Sequence, residues 1–127
     1  MKITDIDVQL VQSDCGRRWT HVRVHTDAGI TGLGEATYSH KERVVRAMVL
    51  ELKEHVIGHD PFATEELYHR LYTGGQTGYS TGGVIFTSAI AGIDQALWDI
   101  KGKALGAPVC ALLGGPRHAR VPVYSHF

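Results

Sequence analysis

The sequence predicts an α+β domain in which a three-stranded antiparallel meander precedes a helical bundle. Two observations support this fold class. Apolar and polar residues alternate through the first third of the chain, which is typical of half-buried strands. From about residue 40 onward, apolar residues recur at spacings of three and four, which is typical of amphipathic helices. A length of 127 residues is enough for one such domain and its core.

The strand pattern occurs three times before the first helix. It predicts strands that end near Gln12, span residues 20–26 and span residues 30–36. A loop over residues 13–18 separates the first two strands, and Asp27-Ala28-Gly29 supplies a turn between the last two. Short connections of this kind favour strands that neighbour one another in chain order.

Helical spacing predicts four helices after the third strand. They are expected over residues 40–57, from residue 60 to about 73, over residues 84–105 and over residues 108–113. Ser39 and Glu42 have the spacing of a capping box for the first helix, and Asp60-Pro61 is a good start for the second. The third helix should be central and mostly buried, because apolar residues cover most of its surface; those at core spacing are Phe86, Ile90, Ile93, Leu97, Ile100 and Ala104.

Composition argues against several functional classes. The chain has 13 basic and 13 acidic side chains and a formal net charge of zero, so it has no global field to attract nucleic acid or an anionic membrane. No apolar run approaches the ~20 residues that span a bilayer, and the N-terminus does not resemble a signal peptide. We therefore expect a cytoplasmic protein. Cys15 and Cys110 show neither a disulfide framework nor metal-type spacing.

Charged and titratable residues inside the predicted elements mostly have structural explanations. His21-x-Arg23-x-His25 lies on one face of the second strand and is better explained as a solvated polar face than as a zinc site. In the long helix, Asp99 precedes Lys103 by four residues, which favours an ion pair. Asp94 has no such neighbour, so we expect it to bond backbone groups or a base elsewhere.

Two loops at strand ends carry groups suited to binding. One contains Arg17-Arg18-Trp19, and the other contains Tyr38 and His40. An arginine guanidinium can hold a carboxylate through two parallel hydrogen bonds, and loops at strand ends commonly carry binding residues. Ordinary loop polarity explains these residues equally well at this point. The residues alone therefore predict an α+β domain and leave open whether it binds an anionic ligand.

Several longer motifs identify a family. The run from Ser88 to Val109, followed by Leu112-Leu113-Gly114-Gly115, closely resembles the N-terminal capping domain of the mandelate racemase and muconate lactonizing enzyme group of the enolase superfamily. The resemblance extends to the opening Met1-Lys2-Ile3, to the hairpin Thr26–Glu35 and to Ile57-Gly58-His59-Asp60-Pro61, so it covers essentially the whole chain. Within the group, the motifs look most like those of sugar-acid dehydratases.

The resemblance implies a two-domain enzyme of which this chain is the smaller part. Residues 1–115 would be the capping domain, and residues 116–127 would be a linker and the first strand of a TIM-type barrel that lies outside this chain. In such an enzyme the barrel, and not these residues, binds Mg²⁺ and carries the bases that remove the proton α to the substrate carboxylate. The expected partners are a small carboxylate substrate, the barrel domain and further copies of the same chain.

Two alternatives to the dehydratase remain at this stage. A racemase, epimerase or cycloisomerase of the same group would share the same motifs. A function of another class, a non-catalytic interaction module formed by the 127 residues alone, would use the apolar surface of the long helix and the terminal strand.

The resemblance also assigns roles to individual residues. No catalytic residue and no metal ligand is expected in this chain. The two loops named above match the family's substrate-closing loops, so the predicted substrate-binding residues are Arg17, Arg18, Trp19, Tyr38 and His40. Gln76 and Tyr79, in a glycine-rich segment, are predicted as a further lid element. Ser125 and His126 are predicted near the C-terminal end of the first barrel strand, the face on which TIM-barrel sites are built.

Overall fold

The structure, a computed structural model, describes residues 1–73 and 83–124. In these residues a three-stranded antiparallel sheet is followed by helices, which confirms the predicted fold class. The strands are β1 (Ile3–Gln12), β2 (Arg18–Thr26) and β3 (Thr31–Glu35), in the sheet order β1-β2-β3. The α-helices are α1 (Glu42–Leu52), α2 (Thr64–Thr73), α3 (Gly83–Leu105) and α4 (Val109–Leu112), and a short 3₁₀-helix (Lys53–His55) follows α1.

The sheet buries one face, as the alternation predicted. In β2 the buried side chains are Thr20, Val22, Val24 and Thr26, and the intervening residues are partly exposed. Val22 pairs with Val8 of β1 and with Gly34 of β3, which fixes the register of all three strands. Leu10, which the alternation placed on the buried face, is 43% exposed because the edge strand β1 continues past the core.

Helix α3 lies across the sheet and forms the centre of the core. Its side chains that pack inward are Phe86, Ala89, Ile90, Ile93, Ala96, Leu97 and Ile100. The helix and β3 approach so closely that a Cβ atom on Gly34 would lie 2.0 Å from the carbonyl oxygen of Gly92. The prediction of a central buried helix is therefore correct, although Ala104 lies in the exposed last turn.

Side chains of α3 also close the free edge of β3. Asp99 Oδ2 accepts a hydrogen bond from the backbone N–H of Leu33 (2.8 Å), and Gln95 Oε1 accepts one from Glu35 (3.1 Å). Lys103 Nζ donates to the carbonyl oxygen of Thr31 and to Asp99 Oδ2, both at 2.7 Å. The predicted Asp99–Lys103 pair is present. The pair also forms hydrogen bonds with backbone N–H and C=O groups of β3 that would have no partner at a sheet edge.

The first helix begins later than predicted and lacks the predicted capping box. It starts at Glu42, and no side chain caps it. His40 has a left-handed backbone (φ 63°), so the chain cannot enter the helix at residue 40. The Glu42 side chain instead accepts a hydrogen bond from the backbone N–H of His40 at 3.0 Å. The helix also ends earlier, at Leu52, and the 3₁₀-helix and a left-handed Gly58 complete the turn.

The second helix begins four residues after the predicted start. Asp60 Oδ1 accepts a hydrogen bond from the backbone N–H of Phe62 (3.0 Å), which forms a local turn. Short polar side chains that bond nearby backbone groups compete with helix formation in this way. Thr64 is therefore the first residue of α2.

The chain after α4 has no assigned helix or strand as far as it is described. Val121, Val123 and Tyr124 are 77%, 90% and 85% exposed. The first barrel strand stays a prediction, because residues 125–127 lie outside the described part. In the described ranges, no helix combines the length and the apolar character needed to cross a membrane.

Candidate functional site

Two loops meet at one end of the sheet. The first connects β1 to β2, and the second connects β3 to α1. The backbone N–H of Thr20 donates to Thr37 Oγ1 at 3.0 Å, and the backbone N–H of Ala36 donates to the carbonyl oxygen of Thr20 at 2.8 Å. The second loop is therefore anchored to the first residues of β2, which immediately follow the first loop.

The first loop is a tight turn that presents two arginines. The backbone N–H of Ser13 donates to the carbonyl oxygen of Arg17 (2.8 Å), and that of Gly16 donates to Ser13 (2.9 Å). Gly16 has a φ of 81°, a conformation that glycine adopts without strain. This turn places Arg17 and Arg18 side by side at the start of β2.

An open cleft of about 410 Å³ lies between the two loops. Its lining residues are Cys15, Gly16, Arg17, Arg18, Trp19, Ser39, His40 and Glu42. Four of the predicted substrate-binding residues thus line one cleft: Arg17, Arg18, Trp19 and His40. Tyr38, also predicted, does not line this cleft and is 40% exposed. The other predicted residues, Gln76, Tyr79, Ser125 and His126, lie outside the described residues.

A second cleft of about 480 Å³ adjoins the first. The two share Arg18, His40 and Glu42. The second cleft is also lined by apolar residues at the end of β1 and by Lys41 and Arg43 at the start of α1. Glu42 therefore belongs to the wall common to both clefts.

The two arginines have different surroundings. Arg18 donates from Nε to Gln12 Oε1 (3.1 Å), and its Nη1 lies 4.0 Å from Glu42 Oε2. The Arg17 side chain is exposed and makes neither a hydrogen bond nor an ion pair with any described residue. Arg18 is thus held by the protein, whereas all the donors of the Arg17 guanidinium are available to a ligand.

Glu42 was not among the predicted site residues, although it is the least exposed charged group in the cleft. Its side chain is 9% exposed. A hydrogen bond from its own backbone N–H lowers the pKa of Glu42 most, and burial opposes this change. The backbone N–H of His40 and the charge of Arg18 lower the pKa further. The only sequence signal was its spacing from Ser39, which equally suits a capping box.

Cys15 is a second cleft residue that the sequence did not single out. Its Sγ lies 3.0 Å from Ser13 Oγ. The hydrogen bond with Ser13, the backbone of Arg17 and the Arg17 charge together lower the pKa of the Cys15 thiol. Cys15 and Cys110 are both free and exposed, so they can be compared directly.

This difference in surroundings predicts selective alkylation. Iodoacetamide at pH 7.5 should modify Cys15 several times faster than Cys110, because the thiolate is the nucleophile and the Cys15 surroundings favour it. The rate at Cys15 should fall as pH is lowered, since protonation removes the thiolate. Replacing Arg17 by glutamine should slow the alkylation of Cys15, because it removes a charge that favours the thiolate. Peptide mass spectrometry at timed intervals measures both sites; equal rates at the two cysteines would contradict the prediction.

The described residues do not offer a metal site. In residues 1–73 and 83–124, no three side chains of His, Cys, Asp or Glu converge as metal ligands would. On the outer face of the sheet, His25 Nε2 lies 2.6 Å from Asp7 Oδ2, and Arg23 Nε donates to Asp7 Oδ1 at 3.0 Å. Although burial opposes it, these two partners hold the pKa of Asp7 below its usual range. The predicted polar face is therefore a cross-strand ion-pair network.

Asp94 does not have the partner that was expected for it. It is half-buried, and among the described residues none donates a hydrogen bond to its carboxylate. Burial, assisted by the charge of Glu65, raises the pKa of Asp94. The nearest base along the helix, Lys101, donates instead to Thr64 Oγ1 (3.1 Å) and lies 4.5 Å from the centre of the Trp98 ring.

Comparisons with known proteins agree with the fold and cover nearly the whole chain. Residues 9–114 match the model of the mandelate racemase / muconate lactonizing enzyme N-terminal domain. A D-galactonate dehydratase from Xanthomonas axonopodis pv. citri is 48% identical over 124 residues, which are 98% of this chain and 31% of that protein. The chain therefore spans about a third of the length of the curated relatives that it matches.

Solved structures show the same domain. A member of the enolase superfamily from Salmonella Typhimurium matches with a TM-score of 0.78 and 36% identity, covering 92% of this chain and 30% of that one. An isomerase from Streptomyces coelicolor A3(2) matches with a TM-score of 0.75 and 36% identity, covering 92% of this chain and 32% of that one. In both, the matching part is less than half of a longer protein.

Proposed function

Because the chain belongs to the mandelate racemase/muconate lactonizing enzyme family, as an N-terminal domain of the enolase superfamily, we propose that it caps the substrate site of a sugar-acid dehydratase. The observation that carries this proposal is the guanidinium of Arg17, which has no partner within residues 1–73 and 83–124 and lies in a cleft with Trp19 and His40. A guanidinium with free donors suits a carboxylate, and the curated relative at 48% identity bears the name of an enzyme that acts on a sugar acid.

The proposed reaction removes water from the acid in two stages. A base takes the proton α to the carboxylate, and the C–H electron pair moves into an enediolate. The bond from the β carbon to its hydroxyl then breaks, and the hydroxyl leaves as water after taking up a proton. The enol that remains tautomerises to a 2-keto-3-deoxy acid.

The groups that move protons lie in the barrel that we propose to follow residue 116. We propose that Mg²⁺ binds in that barrel as well, as membership of this family implies. The part played by this chain is binding and enclosure: Arg17 takes a carboxylate, Trp19 supplies an apolar wall, and His40 comes from the facing loop.

A substrate screen tests the proposal. The full-length protein, with Mg²⁺, is incubated with a panel of aldonic and aldaric acids, and 2-keto-3-deoxy products are detected as semicarbazones. We expect at least one acid to be dehydrated and the activity to be lost on chelation of the metal. Inversion at the α carbon without loss of water would contradict the dehydratase and support a racemase or epimerase.

One observation favours an isomerase as the second candidate. The domain of the Streptomyces coelicolor isomerase has the same fold at 36% identity. Racemases and dehydratases can share the removal of the α proton, so the same capping domain serves either outcome. Proton exchange at the α carbon in heavy water, measured by NMR together with product formation, separates the two.

A further inference from the structure

We propose that β1 is an interaction edge for a second copy of this chain. The two β1 strands pair antiparallel about a two-fold axis that passes between the two Gln9 residues, and this pairing joins the two three-stranded sheets into one. The inference concerns assembly and does not depend on the proposed function.

The first step is to identify which backbone groups of β1 point away from β2. The backbone N–H of Ser13 donates to the carbonyl oxygen of Arg17 at the end of the hairpin. Hydrogen-bonded pairs alternate along an antiparallel ladder, so the odd-numbered residues 5–11 turn their backbone groups toward β2. Thr20, the partner of Leu10, agrees with this assignment, because its carbonyl oxygen accepts from Ala36 on the β3 side. The outer edge is therefore formed by the N–H and C=O groups of Ile6, Val8, Leu10 and Gln12.

The second step is that this edge is open, whereas the rest of the sheet boundary is closed. Side chains of α3 bond the edge of β3, and Gly58 and His59 bond both backbone groups of Ile3 at the beginning of β1. Within the described ranges, no backbone group bonds the outward groups from Ile6 to Gln12; the Ile6 N–H has the neighbouring Asp5 carboxylate as a local acceptor. This stretch also has no proline, lysine or bulge, which are devices that commonly protect a strand edge.

The third step is that the edge is complementary to itself in one register. Two copies related by a two-fold axis present the same edge to each other. Centring the pair on Gln9 places Ile6 opposite the partner's Gln12 and Val8 opposite the partner's Leu10, so every outward group finds a partner. Centring it on Leu10 moves Ile6 opposite the turn, and centring it on Val8 moves Gln12 opposite the irregular start of β1. Centring it on Asp7 would place two carboxylates opposite each other.

The same register covers exposed apolar surface. Leu10 is 43% exposed, although it lies on the face of β1 that carries the core residue Ile6. In the pair it would lie opposite the partner's Val8, a half-buried residue on the same face. Apolar side chains opposite each other on neighbouring strands stabilise a sheet, so the pairing gives Leu10 the neighbour that it lacks.

Charges at the two ends of the edge favour a second copy as the occupant. Lys41 and Arg43 lie beside the end of β1, where they line a cleft with Leu10 and Gln12. Beside the beginning of β1 lies the 3₁₀-helix, which is joined to the strand by the Lys53–Asp5 ion pair and carries the exposed Glu54. Antiparallel pairing brings the basic end of each copy beside the Glu54 end of the other. Opposite charges therefore approach each other at both ends of the interface.

A cysteine cross-link in the full-length protein tests the occupant and the register. Gln9→Cys is introduced after Cys15, Cys110 and any cysteine beyond residue 127 have been replaced by serine. The two substituted residues would form a non-hydrogen-bonded pair with Cα atoms about 4.5 Å apart, within the roughly 4.4–6.8 Å that a disulfide spans. We expect mild oxidation to convert most of the protein into a reducible dimer joined at position 9, as identified by peptide mass spectrometry.

Leu33→Cys is the matched control, because Leu33 is 50% exposed on the same face of the sheet but lies on β3, whose edge is closed. This variant should stay mostly unlinked. Adding Leu10→Lys to the Gln9→Cys protein places a charge against the partner's Val8 and should slow the cross-linking at least about tenfold, whereas adding Leu33→Lys should not. Equal cross-linking of the Gln9→Cys and Leu33→Cys proteins would contradict the pairing.

Hydrogen exchange of the unsubstituted full-length protein completes the test. In the pair, the amides of Val8 and Leu10 should exchange within about tenfold of those of Asp7 and Gln9, which bond to β2. Protection of Val8 and Leu10 together with the cross-link supports the proposal. Protection without the cross-link would mean that another strand, such as one from the remainder of the same copy, fills the edge, and the proposal would be wrong. Rapid exchange at Val8 and Leu10 would show an open edge and overturn it, whether or not the cysteines can be linked.

Discussion

Replacing Arg17 by glutamine is expected to raise the KM for a sugar-acid substrate by about 10- to 100-fold, with a smaller effect on kcat. The range corresponds to the roughly 1.5–3 kcal/mol that a hydrogen bond to a charged group contributes. The Arg17 side chain makes no hydrogen bond or ion pair with any described residue, so its substitution should remove the proposed ligand contact with little effect on the fold. An interaction made equally in the ground and transition states appears in KM rather than in kcat.

Arg43→Gln is the control for this prediction. Arg43 is also exposed, but it lines only the adjoining cleft, so its loss should change KM less than about twofold. Arg18→Gln should have an intermediate effect, since Arg18 is held by Gln12 and faces Glu42. Steady-state kinetics on the same acid measures all three variants. An unchanged KM in the Arg17 variant would show that the substrate carboxylate is bound elsewhere.

The sheet and the long helix could be predicted from the sequence because both depend on local periodicity. Alternation along residues 20–26 is preserved in β2, where every second side chain is buried. The spacing of Phe86, Ile90 and Ile93 predicts a buried face of α3, and all three side chains are buried. In each case the pattern of neighbouring residues is sufficient, and no distant contact changes the result.

The helix starts and the shared wall of the two clefts could not be predicted, because distant or competing contacts decide them. The left-handed backbone of His40 moves the start of α1 to Glu42, and no local pattern marks that conformation. Thr37 bonds to Thr20 across 17 residues and brings the two loops together. The loops themselves were found from residue type, since arginine and tryptophan at strand ends suit a binding role.

A large loss of stability is expected from substitution of Gly34 by alanine. The backbone there is not left-handed, so strain in φ is not the cause. The added Cβ would lie 2.0 Å from the carbonyl oxygen of Gly92 and 3.0 Å from the backbone nitrogen of Ala96. Neither is a movable side chain, so β3 and α3 must separate. We expect a loss of about 4 kcal/mol or more, a large share of the stability of a typical domain.

Leu33→Ala is the matched control, because Leu33 is the adjacent residue of β3 and points to the other face, where it is 50% exposed. It should cost less than about 1 kcal/mol. Urea unfolding followed by circular dichroism measures both variants.

Because β3 leads directly into the loop that carries Tyr38 and His40, the Gly34 variant should also lose sugar-acid binding, whereas Leu33→Ala should keep it. A stable Gly34→Ala protein would mean that the sheet and helix are not packed backbone to backbone.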